Sequence, residues 1–154
     1  MPTVTESKVV DHDVQTVYNQ WTQFEQFPRF MSGVKTVKQV DDTHLLWTVD
    51  IAGREEKWNA EITEQHTDQR IAWHSTSGAE NAGVVTFHYI DPNTTRIMLQ
   101  LSYDPQGFIE NAGSALGLVN RYVDAALKKF KEFIESRQVE TGAWRGNVEN
   151  ESIQ

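Results

Sequence analysis

The chain has 154 residues, no cysteine and a net charge of −8. That length suits one domain with its own core, and the absence of cysteine excludes disulfides, thiolate catalysis and cysteine-based zinc or iron–sulfur sites. The negative balance works against nucleic acid and anionic membrane surfaces, both recognised through clustered Lys and Arg. With 38% hydrophobic residues, no apolar run near the ~20 residues of a membrane span and no leader pattern, the sequence reads as cytoplasmic, without integral membrane association.

Thr3 to Val10, rich in Thr and Val, predicts a strand. Asp11 or Asp13 caps a helix whose Val14, Val17, Tyr18 and Trp21 fall three and four apart. Thr22 offers a second cap before Phe24, Phe27 and Phe30, and Pro28 makes that helix short or broken because it cannot donate an i→i−4 bond. From Val34 to Tyr103 the period becomes two. Val34, Val37 and Val40 mark one strand, and Leu45, Trp47, Val49 and Ile51 share a face of the next, which ends at an Ala52-Gly53 turn. Trp58, Ala60 and Ile62 follow, then Ile71 and Trp73 after a turn at Thr67-Asp68. Val85, Phe87 and Tyr89 precede an Asp91-Pro92-Asn93 turn, and Ile97, Leu99, Leu101 and Tyr103 complete the series. One apolar face per strand predicts an antiparallel meander with one solvated side.

From Phe108 the period is 3.6. Ile109, Ala112, Leu116, Val119, Val123, Ala126, Leu127, Phe130 and Ile134 trace one face, against Arg121, Asp124, Lys128, Lys131, Glu132 and Glu135 on the other. This is an amphipathic helix of about 30 residues and ~45 Å, whose stripe has only the sheet's apolar face to bury against. The predicted fold class is α+β, in the order strand, two helices, six strands, long helix. Residues 1–138 form the domain and 139–154 a polar tail, in which Trp144-Arg145-Gly146 reads as a disordered end with an incidental aromatic rather than a docking element.

That order is the helix-grip arrangement, and particular stretches carry a family resemblance. Phe24-Glu25-Gln26-Phe27-Pro28-Arg29-Phe30-Met31, then Val34 and Val37, resembles the F-x-x-F-P-x-F/W-M-x-x-V stretch of the START-like superfamily, in its polyketide cyclase/dehydrase and coenzyme Q-binding group. Ala60-Glu61-Ile62 through Arg70-Ile71-Ala72-Trp73, with Ser75 and Gly78, is similar to that group's sheet signature. So is Gly83-Val84-Val85-Thr86-Phe87, leading to Thr95-Arg96-Ile97, Leu99, Leu101 and Tyr103. The resemblance spans residues 3–137. It implies a START/Bet v 1-like sheet curved around the C-terminal helix, with a small hydrophobic ligand (lipid, quinone or polyketide-like) held between them. The superfamily hosts many functions.

Trp47, Trp58 and Trp73 share the apolar parity of three successive strands, and Phe87 and Tyr103 join them. Such residues either line a cavity or fill a core, and periodicity does not separate the two. The candidate ligand-binding set is Trp47, Trp58, Trp73, Ser75, Phe87, Tyr89, Leu99, Leu101 and Tyr103 from the sheet, with Leu116, Val119 and Val123 from the helix. Ser75, Ser77, Tyr89 and Tyr103 have the inward parity and Asn111 lies near the helix start, so these are the candidate polar contacts. Gly113 and Gly117 each cost the helix ~1 kcal/mol, which an open cavity mouth, a moving gate or close packing would offset. His44, His74 and His88 have the outward parity and do not converge, so no metal is expected. No cofactor is expected either, since glycine-rich phosphate loops, dinucleotide fingerprints and G-x-S-x-G are all missing. The expected function is binding or transport of a small hydrophobic molecule without catalysis. One alternative is a polyketide cyclase, aromatase or dehydratase in which Tyr89, Tyr103 or Ser75 moves protons. Another is an interaction module working through the outer strand face or the tail.

Overall fold

Strand β1 (Thr3–Val10) leads through a short turn into helix α1 (Val14–Trp21) in the computed structural model, which describes residues 2–51, 53–104 and 115–149 and the C-terminal helix's side chains from 119 onward. Asp13 is the N-cap of α1, and its carboxylate accepts from the Thr16 N–H at 3.1 Å. Burial pushes that carboxyl up, but hydrogen bonds from Thr16 and His12 outweigh it and hold the pKa below its ordinary value. A 3-10 turn, η1 (Phe24–Arg29), follows with Pro28 inside it, so the second helix is indeed short. Thr22 does not cap it, contrary to expectation. Its hydroxyl donates back to the Asn19 carbonyl at 2.6 Å and accepts the Trp144 N–H at 3.1 Å, both claims arising from neighbours already packed around it.

The remaining strands are β2 (Val34–Gln39), β3 (His44–Ile51), β4 (Arg54–His66), β5 (Arg70–Gly78), β6 (Asn81–Asp91) and β7 (Thr94–Tyr103). They form a seven-stranded antiparallel sheet in the order β1-β7-β6-β5-β4-β3-β2. Helix α2 (Ala115–Arg137) lies in the concave face of this curled sheet, the expected helix-grip arrangement. Its stripe is buried as the 3.6 period requires, with Val119, Val123, Leu127, Phe130 and Ile134 all in the core. Among the described residues no helix is long and apolar enough to cross a membrane.

The period-two reading holds through the middle of the sheet and fails where a strand carries an extra residue. Opposite Trp73 and Ala72, β4 presents Ile62 and then Glu64, leaving Thr63 unpaired. Beyond that bulge the inward position passes to Gln65, which is buried. Opposite Asn59 and Ala60, β5 presents Ser77 and Ser75, leaving Thr76 as the extra residue. Ser77 therefore faces outward, where it accepts from Asn59 Nδ2 at 2.7 Å. Tyr89 also departs from its expected inward place: it is 63% exposed, at the hairpin end of β6 where a further register shift follows. Ile90 and Asp91 beside it are exposed too, so the strand there overruns the elements that cover the concave face.

The segment 139–149 is docked, and the buried polar residues of α1 explain why. Asn19 and Gln20 of α1 are buried and need hydrogen-bond partners. Gln20 receives the Thr141 N–H at 2.8 Å and donates to the Thr141 hydroxyl at 3.0 Å. Asn19 donates to Glu140 at 2.9 Å and accepts from Arg145 at 2.6 Å. Arg145 also forms a two-pronged pair with Asp68 at 3.0 and 2.7 Å. Pairing of β3 with β4 ends at His44 and Glu61, so β4 runs on with an open edge. Val148 covers that edge by exchanging two backbone hydrogen bonds with Gln65, at 2.8 and 3.0 Å.

Arg145→Ala is expected to lower unfolding stability by about 1 kcal/mol, because a bidentate pair and a bond to a buried amide are lost together. Urea denaturation measures this, and an unchanged midpoint would show that the tail adds nothing. Asp13→Ala is expected to cost about 1 kcal/mol at neutral pH. The folded-state pKa of Asp13 is depressed, so its contribution is complete above the ordinary value of 3.8 and is lost as pH falls through the folded value. The stability gap between wild type and Asp13→Ala should therefore narrow on acidification.

Candidate functional site

Packing between sheet and helix is uneven along α2. Beneath its C-terminal half, aromatic side chains from α1 and η1 fill the space. Phe130 meets Trp21 with ring centroids at 5.0 Å and Phe30 at 5.3 Å, while Phe27 meets Trp21 at 5.4 Å and Tyr18 meets Phe87 at 5.2 Å. Beneath Val119, Tyr122, Val123 and Ala126 the sheet side chains do not reach the helix, and a cavity of about 150 Å³ remains. Trp21 and Phe27 border it on the filled side. Leu45, Trp47, Val49, Ile51, Trp58, Ile62, Trp73, Leu99 and Leu101 form its sheet wall, and Met31 to Val34 form part of its rim.

Two indoles organise the wall. Trp47 and Trp58 are direct cross-strand partners and stack with centroids 5.6 Å apart and planes 13° from parallel. Trp73 faces Gly83 across β5 and β6, and a Cβ on Gly83 would come within 2.4 Å of the Trp73 ring. The missing side chain is what lets that indole lie over β6. Gly33 plays the matching part at the rim: at φ +91° it turns the chain, and a Cβ there would stand 2.9 Å from Tyr122 Cε1. Tyr122 thus rests on the 31–34 turn.

The described lining holds no Asp, Glu, His, Lys or Arg. Its polar groups are Ser32, Asn81, Tyr122 and the indole N–H groups. Asn81 donates its side-chain amide to the Ala79 carbonyl at 3.0 Å and its backbone N–H to Ser75 Oγ at 3.0 Å. Trp47 Nε1 is buried with no hydrogen-bond partner, and a donor left so forgoes about 1–3 kcal/mol. This surface offers shape, π faces and a spare donor, with little means of moving a proton.

The structure sorts the sequence candidates into three groups. Trp47, Trp58, Trp73, Leu99, Leu101, Val119 and Val123 all line the cavity. Phe87 and Tyr103 are core residues outside that lining, Phe87 in the aromatic cluster and Tyr103 fully buried, with burial pushing its phenol pKa up. Ser75 is half-buried with its hydroxyl engaged by Asn81, and Tyr89 is on the outside. The Leu116 side chain, Asn111 and Gly113 lie outside the described residues. The candidate set left out Leu45, Val49, Ile51, Ile62 and Ala126, which share the inward faces, together with Trp21, Phe27, Asn81, Tyr122 and the Met31–Val34 turn. Asn81 shares the parity of Val85 and Phe87, and Tyr122 stands one position beside the stripe, within the broad arc a core-facing helix presents. Both signals were present in the sequence.

Comparison with known proteins places this geometry. A family described as polyketide cyclase/dehydrase and lipid transport matches residues 10–132. An uncharacterized 17.2 kDa protein of Streptomyces lincolnensis, from the melC2-rnhH intergenic region, is 49% identical over 149 residues, 96% of this chain and 99% of that protein. Among solved structures, the Zhui aromatase/cyclase of Streptomyces sp. R1128 superposes with a TM-score of 0.75 at 15% identity, over 93% of this chain and 99% of that one. A START superfamily protein of Mycobacterium smegmatis gives 0.69 at 14% identity, over 88% and 95%. At those identities the two structures speak for the fold. The extent of the family match and the Streptomyces relative go further: this chain belongs to the polyketide cyclase/dehydrase and lipid transport family.

Proposed function

We propose that this protein binds or carries a small hydrophobic molecule in the cavity between the sheet and α2. The observation that carries the reading is the unfilled apolar space of about 150 Å³ beside a densely packed aromatic cluster. Apolar walls that face such a space without touching a partner forgo dispersion contacts that a ligand can restore. Water is a poor tenant, since a buried water needs two to four polar partners and these walls offer few. An apolar ligand regains the lost contacts, and its hydrogen-bond acceptor satisfies Trp47 Nε1. Flat portions of the ligand are accommodated on the indole faces of Trp47, Trp58 and Trp73.

A second reading, cyclase or dehydratase chemistry in the same cavity, draws support from the family and from the fold shared with an aromatase/cyclase. The residues first named for it are badly placed, because Tyr89 is outside, Ser75 is engaged and Tyr103 is off the lining. Ser32 and Tyr122 are the hydroxyls of the described lining and the described candidates for moving a proton there. A polyketide-type substrate turned over by wild type and left unchanged by Tyr122→Phe/Ser32→Ala would favour this reading over simple binding.

Titration of purified protein with naphthalene-2-carboxamide or 1-decanol is expected to change tryptophan fluorescence saturably, and native mass spectrometry should show one bound molecule per chain. Absence of binding by every neutral apolar probe would contradict the proposal. Val123→Phe is expected to fill the cavity, weakening probe binding at least tenfold while leaving the melting temperature unchanged or raised. A loss of the 1–3 kcal/mol typical of an overpacked core would mean that the space is already occupied by side chains.

A further inference from the structure

The rim of the cavity differs in charge from its interior. Ser32 belongs to the lining and is itself exposed, so it marks where the cavity meets solvent. The Lys129 ammonium donates to its hydroxyl at 2.7 Å, from a position one helical turn beyond Ala126, which also lines the cavity. One turn further on, Phe133 carries the Arg29 guanidinium over its ring at 5.2 Å. Arg29 otherwise donates to the neutral Gln26 amide at 2.9 Å.

Lys8, Lys35 and Lys131 are each matched by a carboxylate, from Asp124, Glu55 and Glu135. The chain has 22 acidic against 14 basic residues, so acids are plentiful. Yet among the described residues neither Lys129 nor Arg29 has a carboxylate at ion-pair distance. Among the described residues Lys38, Lys57, Arg96, Arg121, Lys128 and Arg137 also have no carboxylate at ion-pair distance, and what sets Lys129 and Arg29 apart from these is their place beside the cavity mouth. Two cations without a carboxylate partner among the described residues thus stand beside the mouth of a chamber whose described lining is uncharged. The Ser32 hydroxyl accepts from Lys129, so its own proton remains to be donated.

We infer that the ligand is an amphipathic acid, with its apolar body in the cavity and its anionic group at the rim on Lys129 Nζ and Ser32 Oγ. This rests on the binding function proposed above and narrows it to one chemical class. The interior supports the division of labour. A carboxylate carried inward would meet no cation in the described lining and would lose its hydration uncompensated. At the rim the same group takes two charge-assisted or hydroxyl hydrogen bonds and keeps part of its water. A carboxylate, a sulfonate and a phosphate monoester all meet this description, and probes of each kind separate them.

The test compares naphthalene-2-carboxylate with its neutral isostere naphthalene-2-carboxamide, by tryptophan fluorescence at low salt, on the full-length chain. Naphthalene-2-sulfonate and 2-naphthyl phosphate serve as further arms. Wild type should bind the carboxylate about fivefold more tightly than the carboxamide, the range expected for a partly exposed charge contact. Added salt should shrink that preference. Lys129→Gln should abolish it while leaving carboxamide affinity unchanged, and Lys128→Gln, on the solvent face, should leave both affinities as they were. Circular dichroism of the variants checks that each is folded. The inference is overturned if wild type binds the carboxamide as tightly as the carboxylate, or if the preference survives in Lys129→Gln. In either of those cases the binding function itself still stands, whereas failure of all four probes to bind would remove both.

Discussion

Phe130 packs edge-on against Trp21 at 5.0 Å and against Phe30 at 5.3 Å, and much else follows from this contact. The rings come from α1, from the residue that closes η1, and from the C-terminal helix. Together they form a stack between sheet and helix that is too thick to let the helix settle onto the strands. Protein interiors are close-packed, so such a spacer must be matched by equally large side chains along the whole contact or leave a void. Along the Val119–Ala126 stretch this chain does not match it. Instead the indoles opposite lie in contact with the wall, Trp47 stacked on Trp58 and Trp73 over Gly83, and the chamber remains.

How far this was visible in the sequence differs from element to element. The strands and the amphipathic helix were legible because one buried face imposes a period of 2 or 3.6 on apolar residues. Where a bulge inserts a residue, as at Thr63 and Thr76, the parity flips and single-strand reading misplaces Ser77 and overlooks Gln65. Tyr89 was misplaced for a different reason: parity reports which side a residue faces, and says nothing about whether another element covers that side. Trp47 and Phe87 have the same sequence signature, yet one borders a cavity and the other a filled core. What distinguishes them is the neighbouring aromatic side chains of α1 and η1, whose positions are tertiary information.

The docked segment 139–149 shows a signal that was available and outweighed. Its polar composition resembles that of a disordered end. What spoke against disorder lay elsewhere in the chain, in Asn19 and Gln20 on a helix whose Val17, Tyr18 and Trp21 pack into the core. Buried amides require partners, and this segment supplies them. By holding α1 to the β4–β5 turn through Arg145 and Asp68, it also steadies the helix that carries Trp21. The tail is thereby linked to the aromatic stack, and through the stack to the chamber's dimensions.

Whether the space beside that stack is a true apolar chamber decides the functional reading, and a crystal of the ligand-free protein pressurised with xenon addresses it directly. Xenon enters dry, apolar cavities of this size without needing polar partners. Density for xenon among Trp58, Leu99 and Val123 is the expected result. An unoccupied difference map, with side chains repacked into the space between Trp47 and Tyr122, would contradict it.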